Sequence, residues 1–307
     1  MQEILTDIFL FFIAPGFLMT AALGLLACWL DRKITARLQY RKGPPWYQPL
    51  ADILKLLGKE QIVPAGANLP VFLGAPLLGL TAVTLVSLIL WLPNFNQQST
   101  FVGDLIVVIY LLMIPSLALI IGSSASRNPL AALGGSREMK LVLAYELPFI
   151  IAIFTAVMKC NTILLGGLIN WQVNSGMVIG SWSGFLAFLV CTLVIQAKLG
   201  TVPFDLAEAD QELAAGSLIE YSGPALAVFK LTRAMLYLVL PLLLMTVFLG
   251  GIGNWWQFLL KYFIILLVLI LRKNVNPRLR IDQALRLFWG PVTAIALGAF
   301  VLALFGW

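Results

Sequence analysis

The sequence predicts an all-α, polytopic integral membrane protein with about eight transmembrane helices plus a short amphipathic interfacial helix. Three observations predict it. Hydrophobic residues make up 61% of the 307-residue chain. Charged residues make up only 11%, against roughly 25% in soluble domains. The apolar residues come in long runs, not in short alternating strands, so helices rather than a closed barrel satisfy the backbone in lipid. A secretory signal peptide is not expected, because Glu3 and Asp7 precede the first apolar run where basic residues belong. The chain reads as a single membrane domain, 1–307, without an internal repeat.

A span needs about 20 mostly apolar residues. Such runs lie at roughly 6–30, 70–92, 102–122, 139–158, 178–198, 217–249, 254–272 and 286–306. The sixth is about 50 Å long at about 1.5 Å per residue, against a hydrocarbon core of about 30 Å. It must tilt or project, and Pro224 and Pro241 offer kink points.

The connections alternate in charge. Arg32, Lys33, Arg37, Arg41, Lys42, Lys55 and Lys59 follow the first run; Arg127, Arg137 and Lys140 follow the third; Arg272, Lys273, Arg278, Arg280 and Arg286 follow the seventh. The connections around Pro93 to Phe101 and around Gly250 carry no basic residue, and the fourth carries Lys159. The positive-inside rule then places both termini outside and the charged connections (31–69, 199–220 and 272–286) in the cytoplasm. The net charge of +6 is thus topological, and nucleic acid is not expected as a partner.

In the first of these connections Leu50, Ile53, Leu54 and Leu57 share one helical stripe, with Asp52, Lys55 and Lys59 largely off it. That spacing predicts the helix lying in the interface plane of the lipid bilayer. Gly43, Pro44, Pro45 and Pro49 stiffen the turn before it. Arg32, Arg37 and Arg41 read either as topology anchors or as a docking surface for a cytoplasmic partner. Arg278, Arg280 and Asp282 suit an ordered, charge-paired turn, with topology first and partner contact second.

The stretch from Pro203 to Glu220 places Asp205, Glu208, Asp210, Glu212 and Glu220 close together in a chain with only 14 acidic residues. No Lys or Arg lies between Thr201 and Phe229. Carboxylates crowded beside a membrane repel one another and are poorly hydrated, which favours proton uptake. The segment is therefore a candidate ion relay. Its structural alternative is a solvated loop in which Asp205 and Glu208 form a capping box. Glu146, Lys230 and Arg233 fall within apolar runs, about two turns in for Glu146 by the assigned start. Intramembrane charges normally face a bundle interior or a water-filled cavity and find partners. Lys230 or Arg233 is expected to pair with a carboxylate of this chain or with a neighbouring subunit.

Cys28, Cys160 and Cys191 are widely separated, no Cys-x-x-Cys occurs and histidine is absent. Clusters, haem and zinc draw on those residues, so no metal site and no cofactor is expected on this chain. The thiols read as small buried side chains.

Together, Asp31-Arg-Lys through Gln48-Pro-Leu-Ala-Asp-Ile-Leu-Lys-Leu-Leu-Gly-Lys-Glu, Pro203-Phe-Asp through Glu220-Tyr-Ser-Gly, and Pro277-Arg-Leu-Arg-Ile-Asp-Gln resemble the complex I subunit 1 family, the membrane subunit that joins the peripheral redox arm. The resemblance covers nearly the whole chain and is strongest to the branch of membrane-bound, energy-converting nickel–iron hydrogenases and formate hydrogenlyase. Where quinone-reducing members carry Ala-Glu-Tyr, this chain has Phe229-Lys-Leu-Thr-Arg-Ala, with Arg233 in place of the glutamate. The resemblance implies a prokaryotic plasma-membrane subunit without a redox centre of its own. It implies an iron–sulfur cluster subunit and a hydrogenase-like large subunit with a nickel–iron centre as cytoplasmic partners, and antiporter-like membrane subunits beside it. It assigns the relay to Glu146, Asp205, Glu208, Asp210, Glu212 and Glu220, and docking to Arg32, Arg37, Arg41, Arg137 and Arg278. The rival readings are a quinone-chamber subunit and a self-sufficient secondary transporter, the latter disfavoured by the missing repeat.

Overall fold

The computed structural model describes residues 8–208 and 214–306, and among them it is helical with no strand. Every one of the eight expected runs carries a helix. Six helices are long and apolar enough to cross a membrane: Ile8–Leu38, Leu69–Phe95, Asp104–Ala125, Pro129–Cys160, Gly223–Phe248 and Ile281–Leu304. The expected fifth span is the shorter apolar helix Trp182–Lys198. The expected seventh is the 21-residue helix Trp255–Val275, with Lys261, Arg272 and Lys273 along it.

In chain order the helices are α1 (Phe17–Leu38), α2 (Gln48–Leu57), α3 (Leu69–Phe95), α4 (Asp104–Leu111), α5 (Ile114–Ala125) and α6 (Pro129–Cys160). Then follow α7 (Leu165–Ser175), α8 (Trp182–Lys198), α9 (Gly223–Phe248), α10 (Trp255–Val275), α11 (Ile281–Leu287) and α12 (Thr293–Leu304). A π-turn over Phe288–Val292, around Pro291, joins the last two.

The longest helix is not the one the hydropathy marks. α9 begins only at Gly223 and has 26 residues, with Pro224 in its first turn, where proline is tolerated, and only Pro241 in its interior. α6 instead runs for 32 residues, because Asn128 caps it by accepting from Leu130 N–H and Pro129 opens it. The polar run Ser136-Arg-Glu-Met-Lys hides its first turns from a hydropathy reading. Glu146 therefore lies 17 residues past Pro129, about 26 Å along the axis, in mid-helix and not near an end.

α9 is the central post. It packs on α1 and α3, while α6 packs on α5, α8 and α12. The approach of α1 to α9 is backbone-close: a Cβ on Gly24 would stand 2.4 Å from the Ala234 carbonyl oxygen. Small residues at such crossings supply the van der Waals contact that replaces the hydrophobic effect between helices in lipid. The interfacial helix α2 forms as expected, with Ile53 buried against the bundle and Leu50, Leu54 and Leu57 exposed.

Side-chain contacts sort the connections to opposite ends. At one end Asp31 meets Lys273, Asp205 meets Arg278, and Asn128 meets Glu220. At the other, both oxygens of buried Asp104 accept from Leu165 N–H, and Asn94 accepts from Ile252 N–H. The basic connections and the acidic loop thus share one end, as their charge pattern requires.

Candidate functional site

The acidic segment ends α8 at a tight turn and folds back over the bundle. Residues 201–208 run as turns, and none of Asp205 to Glu208 is helical. Their carboxylates go to cations from other elements instead of forming the capping box. Glu208 receives Arg233 Nη1 on both oxygens, at 2.7 and 2.8 Å. The same guanidinium donates through Nε to the Leu199 carbonyl at 3.0 Å and through Nη2 to that of Gly200. Arg233 thereby ties the end of α8 to the loop and to α9. Asp205 accepts from Arg278 at 3.2 Å, and Leu279 N–H donates to the Pro203 carbonyl at 3.1 Å. The absence of basic residues from Thr201 to Phe229 does not leave the loop unneutralised, because its counter-charges arrive from α9 and the 276–280 turn.

Glu220 accepts from Asn128, the cap of α6. Lys230 is exposed and sits on the wall of the cavity described next. Asp210 and Glu212 lie outside the described residues. Of the docking candidates, Arg32, Arg37, Arg41, Arg278 and Asp282 are exposed, while Arg137 is partly buried. Arg32 donates to Asp52 at 2.8 Å, which holds α2 against the end of α1. Partial burial works against the Asp52 carboxylate, yet hydrogen bonds from Arg32 and Gln48 keep its pKa below the usual range.

Beneath the loop a cavity of about 450 Å³ opens between α5, α6, α8 and α9. Its walls are mainly apolar, including Leu119, Phe204, Leu226 and Phe229. Glu138, Lys198, Glu208, Lys230 and Arg233 contribute ionisable groups. Deeper in, the Lys198 ammonium pairs with Glu146, both side chains less than a tenth exposed.

Glu138 and Lys198 were missed by sequence reasoning. Lys198 looks like an ordinary interfacial lysine at the end of a span, and Glu138 like part of a polar connection. Asp31 and Lys273, joined at 2.6 Å, were missed as a pair because 242 positions separate them. The three cysteines are free, with Cys160 and Cys191 buried, as expected of packing residues.

The fold and this cavity define a class: a helical membrane subunit whose acidic loop and buried ion pair line an opening into the bundle. A profile of the NADH dehydrogenase family matches residues 9–304. A membrane-subunit relative from Thermomicrobium roseum, named for NADH-quinone oxidoreductase, is 34% identical, with 91% of each chain covered. Among solved structures, a chain of the membrane-bound sulfane sulfur reductase, an archaeal respiratory membrane complex, superposes with a TM-score of 0.84. It is 28% identical, over 94% of this chain and 96% of that one. The chain belongs to the NADH dehydrogenase family; it is a membrane subunit of a respiratory complex, of the complex I subunit 1 type.

Proposed function

We propose that this chain is the non-redox membrane subunit of a ferredoxin-linked, ion-translocating complex of the hydrogenase type in a prokaryotic plasma membrane. It anchors the peripheral arm that carries the iron–sulfur clusters and a nickel–iron centre. It couples electron transfer there to movement of H⁺ or Na⁺, beside antiporter-like membrane subunits. One observation carries the reading. The acidic loop at one end of the bundle roofs a cavity whose ionisable lining continues, through Lys198, to Glu146 in the middle of α6. Such an arrangement transmits charge from a docked partner into the membrane. The exposed Arg32, Arg37, Arg41 and Arg278 stand at the same end, where the arm would dock.

Glu220→Gln keeps the shape and the contact with Asn128 but removes a charge. The assembled complex is expected to retain its partner subunits while ions moved per electron fall about tenfold. Undiminished pumping would remove the acidic loop from the relay. Arg37→Glu with Arg41→Glu is expected to strip the peripheral arm during purification; unchanged subunit stoichiometry would end the docking assignment.

A second reading has its own support. A mainly apolar cavity of about 450 Å³ has the size and lining of a small-molecule site, and the relative from Thermomicrobium roseum is named for a quinone oxidoreductase. A quinone co-purifying with the complex in one-to-one amount favours it. Against it, the Arg233 guanidinium stands on the cavity wall and takes up the Glu208 carboxylate.

A further inference from the structure

We infer that Lys198 is a proton-carrying switch, exchanging its partner between Glu146 and Glu138 and passing protons between the cavity and the bundle interior. The inference rests on the ion-coupling reading above and goes further by naming the carrier group and the carried species, a proton and not a metal cation.

The geometry sets the argument. The Lys198 ammonium bonds Glu146 and lies 4.9 and 4.7 Å from the ring centroids of Tyr145 and Phe149. Lys198 and Glu138 both line the cavity, and each acts on the other's charge. Glu138 is 8% exposed and hydrogen-bonds Ser116, whose hydroxyl meets that of Tyr145 at 3.3 Å. Glu138 and Glu146 are eight residues apart on α6, about 12 Å along its axis. One ammonium cannot hydrogen-bond both at once, but the flexible four-carbon stem of a lysine can serve them in turn. The remaining oxygen of Glu146, Oε2, is buried and has no hydrogen-bond partner among the described residues. Buried polar atoms are nearly always satisfied, so this lone pair marks a receiving position.

The proton count closes. With all three groups ionised the triad carries one net negative charge, so it admits one proton. Glu138 takes that proton from the cavity, forming an O–H bond. The ammonium yields a proton to Glu146, breaking N–H and forming O–H. The neutral amine then swings to Glu138 and takes its proton, restoring the ammonium. No electron moves and no further reactant is consumed. A metal cation following the same route would meet an ammonium between two rings, a like charge where it needs oxygen ligands.

The test uses the intact complex in liposomes, driven by a low-potential electron donor, with protons moved per electron read by an internal pH dye. Lys198→Arg keeps the positive charge beside Glu146, but a guanidinium does not release its proton. Glu138→Gln keeps the shape of the cavity wall. Each is expected to lower protons per electron by about tenfold or more. A lysine that only neutralises Glu146 would be replaced by arginine without loss. Normal proton yields in both variants, with a pumping wild type, overturn this inference and leave the function reading standing. A wild-type complex that moves no charge with its electrons overturns both.

Discussion

Lys198→Met alone is expected to cost about 3–5 kcal/mol, because it leaves the Glu146 carboxylate buried without its counter-charge. Combined with Glu146→Gln, the same change is expected to cost far less, since no charge is stranded and the methionine refills the volume between Tyr145 and Phe149. Apparent melting temperature of the detergent-purified complex, and its yield from membranes, check both. A single variant as stable as the double would show that the pair carries no net electrostatic weight. The size of the effect comes from depth. The partly exposed Arg233–Glu208 pair, with side chains 34% and 27% accessible, is screened by solvent and should cost less to break.

The fold class was legible because lipid imposes one simple rule, an apolar run for each helix, and the chain obeys it. The end-to-end sorting of charge was legible for the same reason: cations avoid the hydrocarbon wherever they are not paired. What escaped was pairing at long range. Hydropathy trims the start of α6 to about residue 139 and so leaves Glu138 in a connection, although Asn128-Pro129 is a helix-opening signature. Lys198 ends an apolar helix, and nothing local distinguishes a lysine that snorkels from one that turns inward. Arg233 was the exception. Its place in the interior of an apolar run demanded a partner, and the pairing with a carboxylate of this chain followed from the cost of leaving it alone.

Gly134→Ala is expected to displace the acidic loop and to cost about 1–3 kcal/mol. A Cβ there would stand 2.5 Å from Ser217 N and 2.8 Å from the Ala207 carbonyl oxygen. Those two atoms are themselves hydrogen-bonded at 3.2 Å, closing the loop that Glu208 continues. Both are backbone atoms, so neither can rotate aside as a side chain would; the loop must lift from α6. Glu208 would then lose its two-oxygen grip on Arg233, and the Leu199 and Gly200 carbonyls would lose their shared anchor. Faster amide exchange over residues 201–208 reports the lift directly. Gly74→Ala, at a helix position with nothing within 4 Å of the added carbon, is the matched control. If exchange in the loop were the same in both variants, the close packing of α6 against the loop would not be what holds the carboxylates over the cavity.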